Sequence, residues 1–126
     1  MKIILVDAWN TFVTEEGMFV AMKDMLDTFE NRKIIVTNAN PEERIKYGIV
    51  NMPYDVFSLE HNPNKTDPQY FVKLLKHYHL QPSEVVYFEH NPEAIESAKS
   101  IGINAYKYDH IIKNIKAVET FIRASV

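Results

Sequence analysis

The stretch Ile3-Ile4-Leu5-Val6-Asp7-Ala8-Trp9-Asn10-Thr11 decides the fold. Four consecutive β-favouring apolar residues read as a strand buried on both faces, the pattern of a parallel sheet. Asp7 closes that run. In an open α/β sheet the C-terminal end of a strand faces the crevice where ligands bind. An unpaired buried charge there is costly, so Asp7 calls for a metal, a cation or a reaction. Taken alone, it reads equally well as a cap or turn residue at the end of a strand.

Working outward, strand and helix alternate. Lys2–Val6 is the first strand and Met18–Glu30 the first helix, with Phe19, Met22, Met25, Leu26 and Phe29 on one apolar face. Lys33–Val36 is a second strand closed by Thr37-Asn38, and Pro41–Tyr47 a short helix capped by Asn40. Tyr54–Leu59 is extended. Pro68–His79 is a helix capped by Asp67, and Val85–Phe88 another buried strand. Pro92–Ile101 is a helix stopped by Gly102, followed by a strand at Asn104–Tyr108 and a helix at His110–Ala124. Repeated βα units with apolar strands predict an α/β, Rossmann-like three-layer sandwich. Its parallel sheet has about five strands, with helices on both faces. Asp7, Thr37 and Glu89 then sit at strand C-terminal ends, and Lys65 just before a helix that feeds the sheet.

Composition narrows the function. At 126 residues the chain makes one domain, and 46% hydrophobic with 25% charged residues is ordinary for a soluble globular protein. A net charge of −3 gives no bulk electrostatic signal for nucleic acid. There is no cysteine, hence no disulfide, thiol nucleophile or thiolate metal site. The first apolar run is too short for a signal peptide or a membrane span, so no membrane contact is expected and a cytoplasmic location is the default.

Four segments, in order, resemble the motifs of the haloacid dehalogenase superfamily of hydrolases. Asp7-Ala8-Trp9-Asn10-Thr11 after its strand is similar to the first motif, with its nucleophilic aspartate. Ile34-Ile35-Val36-Thr37-Asn38 is similar to the second, a strand ending in Ser or Thr. Asn64-Lys65-Thr66-Asp67-Pro68 resembles the third, and Val85-Val86-Tyr87-Phe88-Glu89-His90-Asn91-Pro92-Glu93, with Ala98-Lys99 and Gly102-Ile103 after it, the fourth. No single motif is specific; their order, each on the right element, carries the resemblance over nearly the whole chain.

The resemblance implies a chemistry for these residues. Asp7 would attack phosphorus in line and form an aspartyl-phosphate. Lys65 would supply positive charge, Thr37 a hydroxyl hydrogen bond, and the backbone around Ala8 and Trp9, with Asn38, further contacts to the phosphoryl group. Mg²⁺ would be held by the Asp7 carboxylate, the Trp9 carbonyl, Glu89, the His90 position and waters. Read without the resemblance, Thr37 is a strand-end cap, Lys65 a solvated loop lysine and Glu89 an acid near a helix N-terminus.

The chain departs from the family pattern in three places. Phosphatases of the family carry a second aspartate two residues after the nucleophile, which protonates the leaving group; Trp9 stands there and cannot do acid–base work. The dehalogenase branch, which works without Mg²⁺, carries an aromatic at that position. The family's key Mg²⁺ ligand position falls on His90, which could ligate a softer metal, replace the metal's charge when protonated, or only cap the next helix. Finally, neither Thr11–Arg32 nor Asn38–Asn64 has room for a cap domain. The expectation is a single capless core over residues 1–126. It would act as a Mg²⁺-dependent phosphatase on a phosphorylated substrate, slow or limited to good leaving groups. A homodimer contact or a macromolecular substrate would close the open site. The competing readings are a catalytically silent binding domain of the same fold and, with less support, a 2-haloacid dehalogenase.

Overall fold

Residues alternate along β1 (Ile3–Asp7), sending Ile4 and Val6 to one side of the sheet and Leu5 to the other. That alternation sets up two apolar layers, because both sides are covered. The computed structural model describes residues 1–126. After β1 come a hairpin of β2 (Val13–Thr14) and β3 (Gly17–Met18), helix α1 (Val20–Leu26) and strand β4 (Lys33–Thr37). Helix α2 (Pro41–Lys46) leads to β5 (Asp55–Ser58), and α3 (Gln69–Tyr78) to β6 (Val85–Glu89) through a 3₁₀ turn at Pro82–Glu84. Helix α4 (Pro92–Ser100), strand β7 (Asn104–Lys107) and helix α5 (Ile115–Ser125) complete the chain.

The main sheet has five strands in the order β5-β4-β1-β6-β7, and every pairing in it is parallel. The chain winds outward from β1 in one direction through β4 and β5, then returns to β1's other side with β6 and β7. The order reverses between β1 and β6, the switch point at which a doubly wound sheet opens its crevice. Met22, Leu26, Val118 and Ile122 from α1 and α5 pack with Ile4, Val6, Val86 and Phe88 on one face. Phe71, Leu74, Ile95 and Ala98 from α3 and α4 pack with Leu5, Val36, Val85 and Tyr87 on the other. The expected three-layer arrangement is the observed one.

Local chemistry explains the helix ends. Asn40 and Glu43 form a capping box at the start of α2, with the Asn40 side chain accepting from the Glu43 N–H at 2.9 Å. α3 begins one residue later than the sequence suggests, with Pro68 rather than Asp67 at the N-cap, and Asp67 accepts from the Gln69 N–H at 2.9 Å from just outside it. Gly102, with φ of +94°, follows α4 in the left-handed region that ends a helix cheaply. Two other helices are shorter than the periodicity suggests. α1 begins only at Val20, because Gly17 and Met18 are taken into the hairpin. α5 begins at Ile115 rather than His110: Asp109 folds 109–112 into a turn by accepting from the Ile111 and Ile112 N–H groups, and Lys113 adopts a φ of +56°. Asn114 then caps the helix through the Ala117 N–H. No helix is long and apolar enough to cross a membrane.

Tyr70 fixes the spacing of β4 and β5 beneath the crevice. Its hydroxyl accepts from the Thr37 N–H at 3.1 Å and lies 2.9 Å and 3.0 Å from the Thr37 and Phe57 carbonyls, between which its one proton is shared. Tyr70→Phe should cost about 1–3 kcal/mol, the penalty for stripping partners from buried polar groups. Urea unfolding would show it as a lower midpoint at unchanged slope.

Candidate active site

The switch point gathers the predicted residues. Asp7 ends β1, Glu89 ends β6 beside it, Thr37 ends β4, and Lys65 enters from the loop between β5 and α3. The three charged groups are sealed: Asp7 is 2%, Lys65 7% and Glu89 0% exposed, so their charges must be matched internally. The Lys65 ammonium does this, 2.7 Å from Asp7 Oδ1 and 2.7 Å from Glu89 Oε1. Its remaining contact, to the Val36 carbonyl, is longer at 3.4 Å. Asn38 holds this lysine in place through its side-chain oxygen, which accepts from the Lys65 N–H at 2.7 Å. Asn38 lines the cavity as expected, and its oxygen serves to position Lys65 rather than to bind a ligand.

The other carboxylate oxygens are also occupied. Thr11 donates its hydroxyl to Asp7 Oδ2 at 2.7 Å, and His90 Nδ1 lies 2.5 Å from the same oxygen and 3.2 Å from Glu89 Oε2. Tyr87, two residues before Glu89 on the same face of β6, donates to Glu89 Oε1. The N–H groups of His90 and Asn91 both point at Glu89 Oε2, each at 3.1 Å. Thr37 Oγ1 accepts from the Ala39 N–H at 3.2 Å, leaving its own proton for a ligand. Ala8 is buried, and its carbonyl accepts from Thr11, Phe12 and Val13, winding the backbone after Asp7 into a tight turn. Trp9 lies on the rim, half-buried against Tyr47 with ring centroids 4.8 Å apart.

Electrostatics follow from this packing. Burial opposes ionisation of Asp7, but the Lys65 charge and the His90 hydrogen bond outweigh it and hold the carboxyl well below the usual range. Burial would lower Lys65, yet the Asp7 and Glu89 charges raise it above its ordinary value. Glu89 moves upward, because burial and the adjacent Asp7 charge together exceed the help from Lys65. Burial would lower His90, but its hydrogen bonds to Asp7 and Glu89 push it up to about 9.

A cavity of about 230 Å³ opens above these groups, lined by Asp7, Thr37, Lys65 and His90 and rimmed by Trp9 and Tyr47. His61 and Glu43, paired at 2.8 Å, form another part of its wall. Nothing in the sequence pattern singled them out, since α2 and the loop after β5 meet only in the fold. A larger hollow of about 450 Å³ lies between the starts of α3 and α4, and no basic side chain lines it.

Asp7, Glu89 and His90 bring one ligand atom each within 4.8 Å of one another, a cluster of the kind that can hold an ion. The donor set does not fit the expected Mg²⁺ site. Mg²⁺ takes six oxygen ligands at about 2.1 Å in a strict octahedron, most of them waters, so the protein must leave one or two carboxylate oxygens open to it. Here every oxygen of both carboxylates already accepts a hydrogen bond, and His90 offers nitrogen, turned onto Asp7 instead of toward a shared ion.

Comparison with known proteins agrees with this layout. No family model matches the chain. The enolase-phosphatase E1 of Sulfurihydrogenibium sp. (strain YO3AOP1) is 31% identical over 97 residues, covering 71% of this chain and 40% of that protein. A haloacid dehalogenase-superfamily hydrolase from Ehrlichia chaffeensis superposes with a TM-score of 0.62 at 23% identity, over 83% of this chain and 56% of its own. The fold is that of the haloacid dehalogenase superfamily. An uncharacterized protein from Corynebacterium glutamicum ATCC 13032 Kitasato shares it at nearly full length, with a TM-score of 0.68, 14% identity and coverage of 98% and 96%. The chain spans 40% of the enolase-phosphatase and 56% of the Ehrlichia hydrolase. Asp7, Thr37, Lys65 and Glu89 line one crevice of this sheet.

Proposed function

We propose that the chain is a phosphate-ester hydrolase in which Asp7 is the nucleophile. The observation that carries this reading is a sealed aspartate kept ionised by Lys65 at the floor of an open cavity. Of its two oxygens, Oδ1 accepts only from Lys65, whereas Oδ2 is engaged by Thr11 and His90. Oδ1 therefore keeps a lone pair for attack. It forms an O–P bond as the ester O–P bond breaks, and the leaving group departs with the bond's electron pair as an alkoxide or phenolate, which takes its proton from water. Water then cleaves the aspartyl-phosphate, releasing inorganic phosphate and restoring Asp7. The Lys65 proton facing Val36, the longest of its three contacts, is the one free to turn to a phosphoryl oxygen. The Thr37 O–H supplies a second donor. No step is routed through an ion, because His90 Nδ1 stands against Asp7 Oδ2 and Glu89 Oε2, where an ion would be held.

Trp9 provides no proton for the leaving group, which restricts the reaction to phenols and other good leaving groups. Trp9→Asp should raise turnover of an alkyl phosphate by about 10²-fold or more while changing an aryl phosphate little. Parallel steady-state rates on the two substrates would show it; equal rates in a folded variant would count against the assignment. The chain is read as a capless core, with a large phosphorylated substrate or a second copy closing the mouth. The deciding experiment is hydrolysis of an aryl phosphate by the chain and by Asp7→Asn. A second reading, a silent binding domain, has the fully paired Asp7–Lys65–Glu89–His90 network in its favour. Inactivity of the folded wild type toward aryl phosphates would select it.

A further inference from the structure

We propose that the His90 side chain occupies the place of a metal ion in this crevice, so that the site excludes Mg²⁺ and meets an incoming anion with side-chain donors alone. The first support is position. His90 Nδ1 sits between the two carboxylates, 2.5 Å from Asp7 Oδ2 and 3.2 Å from Glu89 Oε2, bridging the pair as a cation would. The second is saturation. Lys65 and Tyr87 hold Glu89 Oε1, the His90 and Asn91 N–H groups hold Glu89 Oε2, and Thr11 adds to Asp7 Oδ2. An ion entering here would have to displace the His90 imidazole from Asp7 Oδ2 and Glu89 Oε2 and break several of these bonds, with water completing its remaining positions. The third is bracing. The His110 ring packs edge-on against His90 with centroids 5.0 Å apart, which hinders the imidazole from swinging away.

Lys65 Nζ and His90 Nδ1 face Asp7 and Glu89, two nitrogen groups against two carboxyl groups, so the contacts an ion would make are already filled. A phosphoryl group arriving over the cavity would meet the Lys65 ammonium and the Thr37 hydroxyl directly. The identity of the anion rests on the hydrolase reading above, whereas the exclusion of the metal stands or falls by itself.

The test uses Mg²⁺ alone and needs no turnover. Trp9 is the single tryptophan and lines the cavity, so its fluorescence, with calorimetry beside it, reports an ion entering. Wild type should show no saturable response to millimolar Mg²⁺. His90→Asp, which swaps the imidazole for an oxygen ligand, and His90→Ala, which vacates the position, should each gain Mg²⁺ affinity by at least about tenfold. Two variants are included because the third carboxylate of His90→Asp could unfold the chain, which thermal melting would reveal. Saturable Mg²⁺ binding by wild type that disappears in Asp7→Asn would overturn the proposal. So would failure of every folded His90 variant to bind the ion. In a further arm, wild type should bind inorganic phosphate equally in Mg²⁺ and in EDTA. Binding tightened at least about tenfold by Mg²⁺ would also overturn it.

Discussion

Lys65→Met is expected to destabilise the chain by about 3–5 kcal/mol at neutral pH, the cost of removing one partner from a buried charge cluster. Methionine keeps the length of the side chain and much of its packing, so the loss reads the charge and not a cavity. Without the ammonium, Asp7 and Glu89 face each other across the crevice with only His90 to compensate. The pH dependence has a definite sign. Glu89 already titrates above its ordinary value of 4.5, because burial and the Asp7 charge both oppose its ionisation. A carboxyl whose folded pKa exceeds its unfolded one holds its proton more tightly when folded. Its stabilising contribution is therefore complete below the unfolded value and is lost as pH rises through the folded one. Removing Lys65 enlarges that gap, so the variant should be most stable in mild acid and lose stability steeply toward pH 7. Adding Glu89→Gln should flatten the profile and recover part of the stability. Urea titrations at a series of pH values would show both effects; a flat profile in Lys65→Met would mean that the cluster is not held by this charge.

Asp7→Asn should abolish hydrolysis of an aryl phosphate, by on the order of 10⁴-fold or more, since an amide oxygen cannot replace a carboxylate nucleophile. The fold should survive, because Lys65 keeps Glu89 as a partner and the introduced amide oxygen can still accept from Thr11. The loss should fall on kcat, with phosphate binding by Lys65 and Thr37 retained in part. Acid-quenched wild type should carry an acyl-phosphate that the variant lacks. Residual turnover within about tenfold of wild type would remove Asp7 from the nucleophile's role.

The elements that strand geometry dictates were readable in the sequence. Ile3–Val6, Ile34–Val36 and Val85–Phe88 are apolar runs, and whatever polar group ends such a run in a parallel sheet must arrive at the crevice. Asp7, Thr37 and Glu89 follow from that rule, and Lys65 from its place before α3. The contacts that complete the site do not follow from it. Thr11 reaches back to Asp7 only because the turn after β1 winds around the Ala8 carbonyl. Tyr87 reads as plain core until its hydroxyl is found on Glu89. The orientation of His90 depends on the α4 entry and on His110, far along the chain. His61 and Glu43 meet because the loop after β5 passes α2, a path no local pattern records. The overlong readings of α1 and α5 have a similar cause: hydrophobic spacing continues through the hairpin and the Asp109 turn, where backbone hydrogen bonds decide otherwise.

The sheet order has a consequence for how the site would come apart. β1 and β6 each have neighbours on both sides, whereas β5 and β7 are edges paired on one side only. Edge strands are the first to open in native-state hydrogen exchange, and central ones open only with the whole domain. Asp7 and Glu89 therefore ride on the slowest-exchanging part of the molecule. Lys65 hangs from the loop beyond the edge strand β5. Fraying at that edge would withdraw the ammonium while both carboxylates stayed in place, making the cation the detachable part of an otherwise permanent site.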